Sequence, residues 1–317
     1  MQKVLFIIDK VELKYFEFNK LVTDFWLINE FLNQGNDVYV TIPSNLSLKN
    51  KTPYAYSYKC FQKNGDIFYE KENLLDKNIN TFDLVMFRPD PPVDIDYINA
   101  TYVFDFVKTK VINSPKAIRG FNEKLHSLYF SEYMTDSIVT SSISDIEIFL
   151  KEKKQIVLKP LNRCFGSGVM YLYDGDPNTR TIINTLTNNQ TTMVMVQEFI
   201  NEVKNGDIRV LTLGDKVLPY SIKKLPGKDD FKFNTHNDDF LVVSELSKDQ
   251  LAYFEPVAQK LNSFGIEMAG LDVINQKIIE INVTSPCYFI KEINNLYNTQ
   301  LEKQLVEYLL KHSLLSL

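Results

Sequence analysis

The chain is poor in the groups that most often carry covalent catalysis. It has three cysteines and three histidines in 317 residues. Cys60, Cys164 and Cys287 are odd in number and far apart, which argues against a disulfide framework and for a reducing, cytoplasmic setting. His126, His236 and His312 do not cluster by spacing, and no Ser-His-Asp or Cys-His constellation is in sight. No apolar run approaches the ~20 residues needed to span a bilayer. Val4 to Ile8 is apolar, but Asp9 ends it, so this is a first strand and not a signal peptide. A basic stripe is missing as well. The formal charge of −5 gives no general attraction for nucleic acid, and an anionic substrate must be captured by local cations. Repeats and low-complexity tracts do not stand out.

What is present is an ordinary globular balance, 44% hydrophobic and 24% charged, with length for about two or three domains. Val4 to Ile8 is a buried-strand pattern, Leu21 to Leu32 has helical spacing stopped by Gly35, and strands follow at Asp37 to Ile42 and Phe82 to Phe87. Strand, helix, strand in this order implies an open parallel sheet, with ligands at the carboxyl ends of its strands. Arg88 directly follows such an end. Residues 43–80 are polar and rich in Lys, Asn and Tyr, and read as a variable excursion. Val111 to Pro115 closes this first unit, with Pro115 opening a linker. The next stretch predicts a helix over Glu123 to Met134, a strand at Ile138 to Thr140, and a helix over Asp145 to Lys153 capped by Ser144. Strands follow at Gln155–Lys159, Val169–Tyr173 and Met193–Gln197. The remainder predicts strands at Ile208–Leu213 and Val217–Ile222 and a helix over Asp249–Phe264.

The most informative segment is Met268 to Pro286. Its pattern is a hairpin turning at Asn275-Gln276, with Lys277 to Ile281 returning antiparallel. Strand side chains alternate, so Glu280 and Asn282 share a face. If Asp272 joins them, three hard oxygen donors converge, suited to Mg²⁺ held partly by phosphate oxygens. The alternative is a solvated polar face on a half-buried hairpin.

The flanking residues bear on that choice. Glu280-Ile281-Asn282-Val283-Thr284-Ser285-Pro286 resembles the E-x-N-x-x-S-P signature of ATP-grasp ligases, in the form of bacterial glutathione synthetases. Arg88-Pro89-Asp90-Pro91-Pro92 with Tyr97 to Tyr102 is similar to the family's R-x-D-P-P…A-T-Y segment. Asn113-Ser114-Pro115, Asn122-Glu123-Lys124-Leu125, Leu158-Lys159-Pro160-Leu161, Gly175-Asp176-Pro177-Asn178 and Gly206-Asp207-Ile208-Arg209-Val210 follow in family order. The ordered set runs from about residue 83 to 292 and is far more specific than any one motif.

The resemblance implies an α/β, α+β ATP-grasp architecture. Residues 1–117 would form an N-terminal open parallel-sheet substrate domain, 118–197 a small central lid domain, and 198–317 the C-terminal catalytic domain. It implies ATP and Mg²⁺, with Mn²⁺ as substitute, and small-molecule substrates: γ-glutamylcysteine, glycine and ATP. No nucleic acid and no membrane enter, and a homo-oligomer, dimer or tetramer, is expected. Asp272, Glu280 and Asn282 would hold metal. Lys124 and Lys159 would hold ATP phosphates, and Arg209 with Lys159 would act at the reacting centre. Gln197, Glu198, Phe199 and Ile200 would form the adenine hinge. Arg88 would grip the amino-acid end of the substrate, with Arg209, Ser285 and Lys291 nearby. Leu161 to Gly168 falls at the glycine-rich phosphate lid. There Gly166, Ser167 and Gly168 survive, but Arg163, Cys164 and Phe165 replace glycine-rich positions. Residues 227–240 lack the family's glycine- and alanine-rich loop with its arginine. These departures leave open a ligase for another dipeptide or peptide carboxylate and amine, or a nucleotide-binding homologue with little turnover.

Overall fold

The computed structural model describes residues 1–10, 22–63, 66–164, 166–226, 241–243 and 245–313. Expectations resting on Phe165, His236 and the 227–240 loop lie outside the described residues.

The first sheet is built on β1 (Lys3–Ile7), whose Val4 to Ile7 are fully buried. A continuous apolar run of this kind suits a strand covered on both faces. It pairs in parallel with β2 (Asp37–Thr41) on one side and β7 (Leu84–Phe87) on the other, and β7 pairs in parallel with β8 (Lys110–Ile112). Helix α1 (Thr23–Asn33) covers one face through Phe25, Leu27, Ile28 and Phe31.

The 43–80 excursion extends this sheet. β3 (Leu46–Lys49), β4 (Thr52–Lys63), β5 (Asp66–Tyr69) and β6 (Leu75–Asn78) form antiparallel pairs around β4, which joins β2. The strand signal was present in alternating Pro53, Ala55, Ser57 against Tyr54, Tyr56, Tyr58, with the small residues turned inward. Helix α2 (Ile95–Val103) is capped by Asp94, whose carboxylate accepts from the Tyr97 amide at 2.9 Å. Pro115 opens helix α3 (Pro115–Gly120), as proline at a first helical position allows, and no linker starts there.

The second sheet is antiparallel, in the order β11-β10-β12-β9. Its strands are β9 (Ser137–Thr140), β10 (Gln155–Pro160), β11 (Met170–Tyr173) and β12 (Val194–Glu198). Helices α4 (Ile143–Lys153) and α5 (Thr179–Leu186) complete a separate core around Ile146, Leu158, Leu172, Ile183 and Val194. Ser142, not Ser144, caps α4 by accepting from the Asp145 amide at 3.3 Å. The helix expected over residues 123–134 is a 3-10 helix, Leu125–Tyr133, broken at Phe130.

The third sheet runs β15-β14-β13-β16-β17, all antiparallel. These are β13 (Asp207–Leu213), β14 (Lys216–Lys224), β15 (Leu241–Val243), β16 (Met268–Ile274) and β17 (Lys277–Asn282). Helix α6 (Lys248–Ser263) begins with a capping box of Ser247 and Gln250. Asn275 and Gln276 both have positive φ, 48° and 61°, the geometry of the two-residue hairpin turn the pattern implied. Helices α7 (Ile290–Tyr297) and α8 (Leu301–Ser313) return to the first sheet. Leu305 and Leu309 there share one core with Phe6, Phe31, Leu211 and Met268. The first and third sheets are therefore welded together, while the second has a core of its own.

One residue carries much of the weld. The buried Asn113 carboxamide donates to Met268 O at 2.6 Å and Val283 O at 2.8 Å, and its oxygen accepts from the Glu267 and Met268 amides, both at 2.8 Å. All four of its hydrogen-bonding capacities cross from the first unit to the third. Asn113→Ala should cost at least about 2 kcal/mol in denaturant unfolding, because it orphans buried peptide groups. A loss under about 0.5 kcal/mol, the size of an ordinary surface change, would refute the weld.

Candidate active site

The site is organised by a buried carboxylate. On β16, Asp272 lies opposite Arg209 of β13 and opposite Glu280 of β17. Arg209 clasps it with two bonds, Nε to Oδ1 at 2.7 Å and Nη2 to Oδ2 at 3.1 Å. Lys224 Nζ adds a third at 3.0 Å on Oδ1, and Asn282 Nδ2 a fourth at 3.1 Å on Oδ2. A carboxylate has about four lone-pair directions, and here each has a donor. Burial pushes the Asp272 pKa up, but Arg209 and Lys224 hold it well below the usual carboxylate range. The guanidinium crosses Gly270 so closely that a Cβ there would meet Nη1 at 2.8 Å. Glycine is required by that approach.

Around this centre stand two buried lysines. Lys124 Nζ lies 2.8 Å from Glu280 Oε1 and donates to Arg163 O at 2.7 Å. Lys159 Nζ donates to Gln197 Oε1 at 2.7 Å and to Ile279 O at 3.0 Å. Burial lowers the Lys159 pKa to about 8, with the Glu280 charge opposing that shift. Among the described residues the Gln197 Nε2 group is buried with no hydrogen-bond partner, which is rare for a buried amide. At the hinge, the Glu198 and Phe199 amides are committed to Asp136 O at 2.9 Å and Gln155 O at 3.0 Å. Phe199 sits edge-on to Tyr171, with ring centroids 4.7 Å apart.

The segment carrying Arg163 lies against Lys124. Gly166 and Gly168 adopt positive φ, 67° and 73°, and the Ser167 amide bonds Cys164 O at 3.0 Å. Cys164 Sγ approaches Pro91 O of the first unit at 3.8 Å. Asp272, Glu280, Asn282, Arg209, Lys124, Lys159 and Gln197 thus come together between the second and third sheets.

Comparison with known proteins identifies the arrangement. Residues 2–119 match the N-terminal domain, and residues 123–298 the ATP-grasp domain, of prokaryotic glutathione synthetase. The chain belongs to the prokaryotic glutathione synthetase family. A glutathione synthetase from Buchnera aphidicola (of Schizaphis graminum) is 33% identical over 291 residues, covering 90% of this chain and 91% of that protein. One from Neisseria meningitidis serogroup A is 34% identical over 295 residues, covering 90% and 92%. Among solved structures, D-cycloserine synthetase superposes with a TM-score of 0.67 at 14% identity over 98% of this chain and 99% of that one. A Chryseobacterium gregarium ATP-grasp ligase with ADP and peptide gives 0.65 at 15% identity over 98% and 97%. These structures carry the ATP-grasp fold to this chain.

Within this glutathione synthetase family fold, Arg88 requires a correction. It is buried, 2% exposed. Its Nε pairs with Asp24 of α1, and Nη2 donates to Pro286 O at 3.1 Å. The guanidinium therefore ties the first sheet to the Ser285–Cys287 loop and is not a free substrate clasp. The sequence could not show this, because Asp24 is remote in the chain. Ser285 instead meets Asp90, whose pKa burial raises to about 6, with the Ser285 hydrogen bond opposing and Asp9 and Asp24 adding. Lys291 lies in the first turn of α7, partly exposed. Sequence reasoning missed three groups: Lys224, Asp207 and Glu123. Lys224 pairs with Asp207 at 2.8 Å, and burial raises the Asp207 pKa to about 7. The signal was a lysine at the inward end of β14, indistinguishable by type from a solvated one.

Arg88→Met should destabilise the fold by about 3 kcal/mol, since it strips a buried carboxylate of its guanidinium. Thermal or denaturant unfolding measures it. An unchanged midpoint together with a selective rise in substrate KM would restore the clasp reading.

Proposed function

We propose that this ATP-dependent carboxylate–amine ligase of the glutathione synthase type joins γ-glutamylcysteine to glycine, with ATP becoming ADP and phosphate. Its alternatives from the sequence, a ligase for other peptides or a homologue with little turnover, are not favoured by its family relationships. The observation that carries the reading is the convergence of cations and hard oxygen donors at Asp272. A carboxylate approaching ATP meets like charge, and two unit charges ~4 Å apart at an effective dielectric of ~20 repel by ~4 kcal/mol. Lys124, Lys159, Arg209 and Lys224 offset that repulsion and favour charge developing on the transferred phosphoryl group. The cysteinyl carboxylate attacks the γ-phosphorus and ADP leaves; the glycine amine then attacks the acyl carbon, the C–O bond to phosphate breaks, and phosphate and a proton are released. No protein nucleophile is needed.

The cleft fits a nucleotide and its metal. Gln197 Nε2 is an orphaned buried donor beside the hinge of Glu198, Phe199 and Ile200, suited to an adenine ring nitrogen. The Asn282 amide nitrogen is spent on Asp272 and on Gly270 O at 3.3 Å, which leaves its oxygen for a cation. Glu280 presents a partly exposed carboxylate directly opposite Asp272. Asp272 can join them only by giving up some of its four hydrogen bonds, and Arg209, which supplies two of them, is the group we assign to leave as it turns toward the reacting carboxylate. Mg²⁺, or Mn²⁺ in its place, would neutralise phosphate charge there. Gly166, Ser167 and Gly168 would cover the phosphates, and Ser285 and Lys291 would border the peptide substrate.

We assign residues 1–117 to substrate binding, 118–197 to the lid and 198–317 to catalysis, in keeping with the separate core of the second sheet. The reading includes a homo-oligomer, dimer or tetramer, and a cytoplasmic setting. Free Cys60, Cys164 and Cys287 support the latter, and among the described residues no helix is long and apolar enough to cross a membrane.

ADP release should require γ-glutamylcysteine and glycine together, and Glu280→Gln should remove at least about 99% of it with the fold intact. Full release by the variant would sink the metal assignment, and no release by the native chain would sink the substrate. Nucleotide affinity should also depend on pH. Lys159 binds anions as an ammonium, so ADP affinity should be flat below its pKa of about 8 and fall above it by up to about tenfold per pH unit. Lys159→Arg should abolish that inflection. Persistence of the inflection in the variant would assign it to another group.

A further inference from the structure

Asn122, Glu123 and Lys124 follow one another in a turn before the 3-10 helix, and each side chain holds a different wall of the cleft. Asn122 Nδ2 donates to Leu161 O at 3.0 Å, at the base of the lid, while its Oδ1 accepts from the Lys124 and Leu125 amides. Lys124 holds Arg163 O and Glu280. Glu123 binds a third segment. Its Oε1 accepts from the Val283 amide at 2.7 Å, the Thr284 amide at 3.0 Å and Thr284 Oγ1 at 3.2 Å. The Glu123 carbonyl also accepts from the Ile281 amide at 3.5 Å. Residue 282 is thus bracketed by contacts to Glu123 on both sides. From elsewhere, Asn113 Nδ2 takes the Val283 carbonyl at 2.8 Å. Both ends of residue 283 are gripped, and Asn282 immediately precedes it.

This placement costs energy. Burial raises the Glu123 pKa, and the neighbouring Glu280 charge raises it further. The three donors it captures all belong to the chain segment that directs Asn282.

We propose that Glu123 is a positioning residue for the metal site: its Oε1 fixes the backbone beyond Asn282, so that the Asn282 amide oxygen and the Glu280 carboxylate face the same cation. The inference rests on the metal reading of Asp272, Glu280 and Asn282. What matters in it is the geometry of an accepting oxygen, not the charge. Glutamine keeps such an oxygen at the same reach and removes the repulsion with Glu280. Aspartate keeps the charge but stops one methylene short.

Calorimetric titration of ADP, with and without Mg²⁺, separates these cases. In Glu123→Asp and Glu123→Ala the Mg²⁺ concentration needed to strengthen ADP binding should rise about 10- to 100-fold, as for other groups that orient metal ligands. Metal-free ADP affinity should stay within about twofold of the native chain, and Glu123→Gln should need no more than about threefold more Mg²⁺. If Glu123→Ala does not fold, the Asp and Gln variants still give opposite expectations. A benign Glu123→Asp, a Glu123→Gln as impaired as Glu123→Asp, or a parallel fall in metal-free affinity would each overturn the proposal. If the native chain binds ADP equally with and without Mg²⁺, the metal reading falls with it. If the native chain is Mg²⁺-dependent and Glu123→Asp is too, to the same degree, only the role of Glu123 is lost.

Discussion

The four-donor clasp on Asp272 is the constraint from which the rest of the cleft follows. A carboxylate at this depth is tolerable only when paired and hydrogen-bonded. Arg209 supplies a fork, Lys224 a point charge and Asn282 an amide. To deliver them, β13, β16 and β17 must hold one register, Gly270 must lack a side chain, and Lys224 must itself be balanced by Asp207. On the proposed metal reading the clasp would be exchanged: a divalent cation would offer Asp272 compensation like that of the protein cations here, freeing a guanidinium for the substrate carboxylate. Strong pairing and readiness for exchange are compatible, because both states keep the buried charge neutralised.

The distribution of cores gives this chemistry a mechanical setting. Asn113, α8 and the shared apolar core bind the first sheet to the third. The second sheet packs one face around its own Ile146, Leu158 and Val194, while Met195 of β12 enters the core of the third sheet with Val210 and Leu271 and Lys159 donates to Ile279 O. Acyl phosphates are lost to water unless covered. An element with a core of its own, joined to the site by one apolar seam and a few ionic contacts, suits a cover that must open for each turnover.

Much of the site was legible in the chain because strand chemistry is periodic. Asn275-Gln276 announced the hairpin, and period-two alternation then put Glu280 and Asn282 on one face with Asp272 opposite. Lys159 at a strand end was equally readable. What failed to show were relationships between distant residues. Arg88 looked like a ligand because it follows the carboxyl end of a strand and falls in a family-like segment, yet Asp24, 64 residues earlier in the chain, pairs with it. Lys224 and Glu123 carry no local mark separating a buried charge from a solvated one. In the 43–80 stretch, lysines and asparagines hid the alternation that builds β4. Ser142 took the cap expected of Ser144, because two serines one turn position apart are equivalent until the helix axis is fixed.

The central claim is that the peptide carboxylate is activated by phosphoryl transfer, and oxygen-isotope transfer tests it most directly. With γ-glutamylcysteine carrying ¹⁸O in both oxygens of its cysteinyl carboxylate, an acyl phosphate route must leave one label in the new amide and send the other out with phosphate. Mass spectrometry of the released inorganic phosphate should therefore show one ¹⁸O per turnover. Phosphate without label, formed at the same rate as glutathione, would contradict the account.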